Sequence, residues 1–125
     1  MPSASSIHPP PWPWPESLDA LAAAPGHHRL LFENDRVRVL ATAIPPGGRT
    51  PVHTHRWPAA LSIQSWSDFV RYDDCGKVLV DSRTVEALRN PPAVLWSPPL
   101  APHALHNCGA AELRVLAVEL KDAPA

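Results

Sequence analysis

The clearest periodic signal in the chain is a two-residue alternation. Arg36-Val37-Arg38-Val39-Leu40 alternates charged and apolar residues, and Ala41-Thr42-Ala43-Ile44 carries the segment on. This is the pattern of a half-buried strand. Further short extended stretches follow at residues 52–55, 59–66, 67–72, 77–81, 93–97, 102–107 and 111–120. Turn residues separate them: Pro45-Pro46-Gly47-Gly48, the hairpin turn Asp73-Asp74-Cys75-Gly76, and Asn107-Cys108-Gly109-Ala110. Residues 84–90 fit neither period and end at Pro91-Pro92. Many short strands with turn signals between them predict an all-β sandwich or barrel. One helical signal precedes them, over residues 15–24. Pro15 suits a first turn, Glu16 and Asp19 suit the positive end of a helix dipole, and the Ala/Leu run propagates well. Pro25-Gly26 stops it, and His27 and His28 then read as surface residues ahead of the first strand.

Composition changes this picture mainly at the N-terminus. The chain has 125 residues, 17 of them proline and seven histidine. That length allows one domain. Pro9-Pro10-Pro11-Trp12-Pro13-Trp14-Pro15 excludes helix interior and central strand, and polyproline II is the expected conformation. Residues 1–15 therefore read as a Pro/Trp-rich arm lying on its own domain with the tryptophans as anchors. A docking peptide for an aromatic groove is the alternative. The expected organisation is this arm, a short helix and lead-in over 16–29, a barrel over 30–121 and a tail over 122–125. Most other prolines sit at strand ends, where they break no ladder.

Charge and cysteine content narrow the function classes. A net charge of −1 lacks the basic excess of a nucleic-acid binder. No apolar run reaches the ~20 residues of a membrane span. The first residues lack the basic start and apolar stretch of a secretory signal. Cys75 and Cys108 both fall in polar turns and make no disulfide framework, so a reducing, cytoplasmic home is expected.

Candidate chemistry lies in the histidines. His53-Thr54-His55 on a strand would project two imidazoles from one face, where they can share a metal ion. Neutral imidazole suits zinc, iron, nickel and copper. Alone, such a pair is equally the mark of two satisfied or surface histidines. A second segment, Pro98-Pro99-Leu100-Ala101-Pro102-His103-Ala104-Leu105-His106-Asn107, opens a strand with a histidine. His103 and His106 are three apart and face opposite sides of it. His103 would share the inner face with Leu105, leaving His106 outward or at the rim.

These two segments resemble the paired motifs of the cupin family. Gly47 stands five residues before His53-Thr54-His55, and Pro98, His103 and Asn107 recur at the intervals of the second motif. The resemblance covers about residues 30–120. It implies an all-β fold, a single cupin-type double-stranded β-helix barrel (jelly roll), with the short helix and the arm outside it. The chain departs from the pattern at four places. The first-motif glutamate should fall at Ala59 or Ala60, and Trp66 or Ser67 replaces its closing glycine. Leu100 and Pro92 stand where the second motif has glycines.

The resemblance thus implies a three-histidine metal site, His53, His55 and His103, holding a divalent transition metal, with Fe ahead of Zn, Ni or Mn. Such a set is similar to that of thiol dioxygenases and diketone-cleaving dioxygenases, with open positions for substrate. Three neutral ligands leave the ion its full charge, which favours a small chelating or anionic substrate. The expected activity is an iron-dependent dioxygenase, or an isomerase or hydrolase using the ion as Lewis acid. The alternatives are a non-catalytic cupin acting as a sensor or store, and a structural domain presenting its arm. Catalytic residues are unassigned. Candidate pocket residues are Gln64, as a neutral donor sharing a face with Ala60 and Ser62, Trp57 and Trp96 at the mouth, and Arg49 or Arg56 as a carboxylate clamp. The partner is a small molecule, with no nucleic acid or membrane. A homodimer is expected, with a seam on the 111–120 strand or the arm.

Overall fold

A computed structural model describes residues 12–121 of the chain. The arm expected over 1–15 therefore lies outside the described residues except for 12–15, and so does the tail over 122–125. Trp12 and Trp14 pack edge to face, with ring centroids 4.7 Å apart. Trp12 also lines a surface recess beside Asp19, Arg38 and Trp57.

Nine strands make up the described barrel: β1 (His28–Glu33), β2 (Val37–Ile44), β3 (His53–His55), β4 (Ala59–Ser65), β5 (Phe69–Asp73), β6 (Val78–Asp81), β7 (Val94–Ser97), β8 (Leu100–Asn107) and β9 (Leu113–Leu120). They form two antiparallel sheets. One has the order β1-β2-β9-β4-β7 and the other β3-β8-β5-β6. The expected jelly roll is therefore observed. β1 begins at His28, two residues before the expected start of the barrel, so His28 is a strand residue. Residues 84–90 are resolved as 3-10 turns, Ser82–Thr84 and Glu86–Leu88. No described helix is long and apolar enough to cross a membrane.

The alternation in β2 is real, but its buried face is not the valine face. Arg38, Leu40 and Ile44 are buried, whereas Val37 and Val39 are only partly so. Register explains the choice. Arg38, Leu40 and Ile44 pair with Glu119, Ala117 and Leu113 of β9. Turning the valines inward would take Arg38 out to solvent and leave the Glu119 carboxylate buried without its guanidinium. It would also remove Leu40 from its cluster with Ala20 and Ala117. A second cluster, Ile44, Phe69 and Leu113, packs the other end of the barrel.

The expected helix over 15–24 is split. Glu16–Leu18 forms a 3-10 turn and α1 (Ala20–Ala23) a single α-turn. Asp19 between them is extended at φ −55°, ψ 147°, and its carboxylate accepts a hydrogen bond from the Leu21 amide at 3.0 Å. An N-cap residue stops a preceding turn because its backbone must leave helical angles to bring its oxygen over the next amides. Asp19 also bridges to Thr54, which docks α1 against β3.

Position rather than composition decides which strand edges are open. β9 lies between β2 and β4, so the 111–120 strand offers no free edge for a dimer seam. The free edges of this sheet are β1 and β7.

The second-motif asparagine holds the barrel closed. Asn107 is fully buried, and its Nδ2 donates to the carbonyls of Ile44 and Ala111, both at 2.9 Å. Its Oδ1 accepts from the Ser67 hydroxyl at 2.6 Å and the Gly109 amide at 3.0 Å. Gly109 must be glycine here, since a Cβ would collide with the Ser67 hydroxyl and the Asp68 amide. Leucine at position 107 has similar volume and none of these bonds. Each buried partner left unpaired costs about 1–3 kcal/mol. We expect Asn107→Leu to lower stability by roughly 3 kcal/mol or more, measured as a reduced urea midpoint at unchanged slope.

Candidate metal centre

Backbone register brings the histidines together. β3 pairs with β8 so that His53 lies opposite His103. A bulge between His53 and His55 leaves both rings inside, with Thr54 pointing away towards α1. The ring centroids of His53 and His55 are 5.0 Å apart, those of His53 and His103 4.4 Å, and those of His55 and His103 5.6 Å. His106 lies outside this group, as its parity predicts.

A fourth imidazole joins them. His28, expected on the surface, is 6% exposed and stacks 4.8 Å from His53 and 5.4 Å from His55. The metal-ligating atoms of His28, His53 and His55 all lie within 4.8 Å of one another. Nothing in the local sequence marks His28, because β1 reaches the site only through its pairing with β2.

Each of the four rings is oriented by an acceptor on Nδ1. His53 donates to the Pro51 carbonyl at 2.8 Å, His103 to the Ala101 carbonyl at 2.8 Å, and His28 to the Ala24 carbonyl at 3.0 Å. His55 bonds Oε2 of Glu119 at 3.0 Å. A carbonyl can only accept, so in three rings the proton is fixed on Nδ1 and the lone pair is on Nε2. A carboxylate imposes the same tautomer on His55. Outer acceptors of this kind orient metal-ligating imidazoles and raise their basicity. The donor set therefore fits a transition metal: the ligating atoms of His28, His53 and His55 lie close enough together to share one, while His103, expected in that set, adjoins them through its ring beside His53.

Glu119 was not legible as a site residue, although its parity offered a clue. It follows Leu113, Val115 and Ala117 on the inward face of β9. It is fully buried, and Nε of Arg38 donates to its Oε1 at 2.6 Å. Arg38 in turn grips both oxygens of Asp19 at 2.8 Å. The first-motif glutamate is absent at Ala59, but Ala59 pairs across the sheet with Glu119. The carboxylate thus comes from the neighbouring strand. With one oxygen on Arg38 and the other on His55, it orients a ring and is not itself a free ligand.

Burial sets the protonation states. It drives the imidazoles of His28 and His55 down to about 3 and that of His103 to about 2, and the neighbouring rings add to the shift. His53 is lowered too, again through burial. All four are neutral at pH 7, the state a metal requires. Burial pushes the Glu119 carboxyl up, and the Arg38 guanidinium opposes it.

The rings face a cavity of about 110 Å³ whose other walls are mostly apolar, among them Ile44, Leu61, Leu100, Leu113 and Val115. Of the expected pocket residues, only Trp57 lines it. Its ring also lies 5.0 Å from the Arg38 guanidinium. Trp96 is 61% exposed on the outer side of β7. Gln64 is exposed and donates to Ser62, turned outward because β4 alternates with Ala59 and Leu61 inside. Arg49 is exposed and lies over Tyr72 at 4.5 Å, while Arg56 is exposed beside Trp57. Neither arginine reaches the cavity. Both cysteines are free, and the Cys75 thiol is pushed up by Asp74 and Asp73, as befits an unreactive turn residue.

The neutral histidines make the metal-free protein acid-sensitive. Each imidazole lacks a proton in the fold and gains one on unfolding below about pH 6.5. Stability is then complete above that pH and is lost as the pH falls towards the folded-state values near 3. The slope reaches about 1.4 kcal/mol per pH unit for each histidine. We expect the urea midpoint of the metal-free protein to drop steeply between pH 7 and pH 5, and His28→Gln to flatten that dependence.

No protein-family model and no curated protein matches the chain. Solved structures do. A cupin domain from Bordetella pertussis Tohama I superposes with a TM-score of 0.56 at 20% identity, covering 75% of this chain and 91% of that one. An RmlC-like cupin from Methanocaldococcus jannaschii, described as a double-stranded β-helix, superposes with a TM-score of 0.52 at 13% identity, covering 74% and 77%. Identities this low carry the fold and no more. The chain thus has the fold of these cupin structures, one double-stranded β-helix barrel, with a histidine cluster in its interior.

Proposed function

We propose that this protein holds one divalent transition metal on its interior histidines and acts on a small chelating or anionic compound as an iron-dependent dioxygenase. The observation that carries the reading is the tautomer pattern. Four imidazoles, three buried and that of His55 partly so, each have Nδ1 tied to an acceptor and a free Nε2, around one cavity. Iron bound there supplies dioxygen and one-electron chemistry. His53, His55 and His103 form the expected ligand set, and His28 is a fourth candidate. Glu119 fixes the ring of His55, and Arg38 keeps that carboxylate from turning inward. The leucine and valine walls exclude water, which strengthens the electrostatic pull on a bound anion.

A second reading is a non-catalytic metal or ligand store. The inclusion of His28 favours it, since four protein ligands around a cavity of about 110 Å³ leave little room for a substrate. Elemental analysis separates the readings. The wild-type protein should carry one metal per chain, and His53→Ala should lose it. If the site is catalytic through three histidines, His28→Ala keeps its metal and takes up oxygen with a thiol or diketone substrate. If it is a four-histidine store, His28→Ala loses metal and no oxygen uptake occurs. Absence of metal from the wild type would reject the dioxygenase and the metal store, and leave only a store for a metal-free ligand.

The same reading takes the protein as a homodimer. Edge strand β1 presents Leu30, Leu31 and Phe32, the last 54% exposed, which supports a seam there. We expect a dimer in sedimentation velocity and a shift to monomer on Phe32→Asp.

A further inference from the structure

Arg71, partly buried, stands apart from the paired charges of the barrel. It lies on β5, opposite Leu105 of β8 and Val80 of β6. Its side chain lines the histidine cavity. Its Nε is shielded from solvent and has no hydrogen-bond partner among the described residues. Arg38, by contrast, is held between Glu119 and Asp19. Burial alone lowers the Arg71 guanidinium, and no carboxylate acts in the opposite direction. It nevertheless stays protonated, as guanidinium does in proteins. A shielded donor of a cation left without a partner is costly, and a ligand that accepts from it would remove that cost.

The surroundings say what kind of ligand. Among the described residues, the only acidic residue lining the cavity is Glu119, and both its oxygens are already engaged. A divalent metal on neutral imidazoles would add to the positive field of Arg71. The cavity therefore calls for an anion. Arg71 also lines a second, larger recess of about 430 Å³ that shares several of its walls with the cavity. That recess is apolar, with Ile63, Trp66, Leu88, Leu95 and Trp96 among its walls. Leu61, Leu100, Leu105 and Leu113 line both spaces, so Arg71 sits at the boundary between them. The recess falls in the size range of small-molecule sites.

We propose that Arg71 is the anchor for the carboxylate of an amphipathic acid, whose apolar body occupies the recess beside Trp66 and Trp96 while its head faces the histidines. The proposal rests on the reading of the histidine cavity as a site for a small anionic compound, and it gives that compound a chemical class. A guanidinium fork matches a carboxylate with two parallel hydrogen bonds. Arg49 and Arg56, the arginines flanking His53 and His55 in sequence, have no such access. Arg71 is a specificity residue here, since it would touch the bound compound.

The test uses the full chain and three probes with one phenyl body: 3-phenylpropanoate, 3-phenylpropan-1-ol and phenyl phosphate. Titration calorimetry is run on the metal-free and the zinc-loaded protein. The acid should bind the metal-free protein roughly tenfold or more tightly than the alcohol. Arg71→Met should abolish that preference while still binding the alcohol, and Arg71→Lys should restore only part of it. In the wild-type protein the Arg71 Nε–H resonance, identified by its loss in Arg71→Lys, should move on adding the acid and stay put with the alcohol. This readout holds even if Arg71→Met does not fold. Equal affinity for acid and alcohol, an unmoved Nε–H signal, or an unchanged acid preference in Arg71→Met would overturn the proposal. Tighter binding of phenyl phosphate than of the acid would overturn the carboxylate assignment. Failure of zinc to bind would count against the metal reading alone, because the metal-free titrations stand by themselves.

Discussion

The structure depends on one buried chain of charge that runs Asp19–Arg38–Glu119–His55. It joins four separate parts of the molecule: the lead-in before α1, β2, β9 and β3. Burying one of these charges alone would cost several kcal/mol. Arg38 offsets both carboxylates with three hydrogen bonds, and the neutral His55 ring donates to the remaining Glu119 oxygen. The chain fixes which face of β2 turns inward and ends the helical lead-in at Asp19. Its last link sets the ring of His55. A demand for charge compensation thereby reaches directly into the chemistry of the site.

The same interior treats its histidines the opposite way. Around the cavity, burial keeps four imidazoles neutral, each with its Nδ1 proton parked on an acceptor. Three of these acceptors are backbone carbonyls two to four residues away, supplied by the strand or turn that carries the ring. Local backbone thus sets three tautomers, and a long-range carboxylate sets the fourth. The result is a ligand set without negative charge. Arg71, which lines the same cavity and has no acidic partner among the described residues, adds to the same field.

Two-residue alternation, proline and glycine turns, and His53-Thr54-His55 followed by Pro98, His103 and Asn107 were enough to specify a jelly-roll barrel of cupin type. Those signals are local. A strand shows its period and a turn its φ requirement within a few residues, and the motif intervals place β3 against β8. His28, Glu119 and Arg71 were beyond that reach. Each comes from a different strand, and each looks unremarkable where it stands: one histidine of a surface-like pair, a late charge in an apolar strand, an arginine next to a tyrosine. Gln64 and Arg49 illustrate the converse. Their proximity to the motifs in sequence suggested the pocket, but strand parity and position turned them outward.

The sequence by itself determined the element types, the barrel class and the spacing that puts His53, His55 and His103 on facing strands, because these follow from periodicity and turn chemistry. Only the tertiary structure decided which charges are buried together, which imidazole joins from β1, and which arginine reaches the cavity. Those outcomes depend on register between strands remote in the chain. A register shift of one residue would send every one of these side chains to the opposite face.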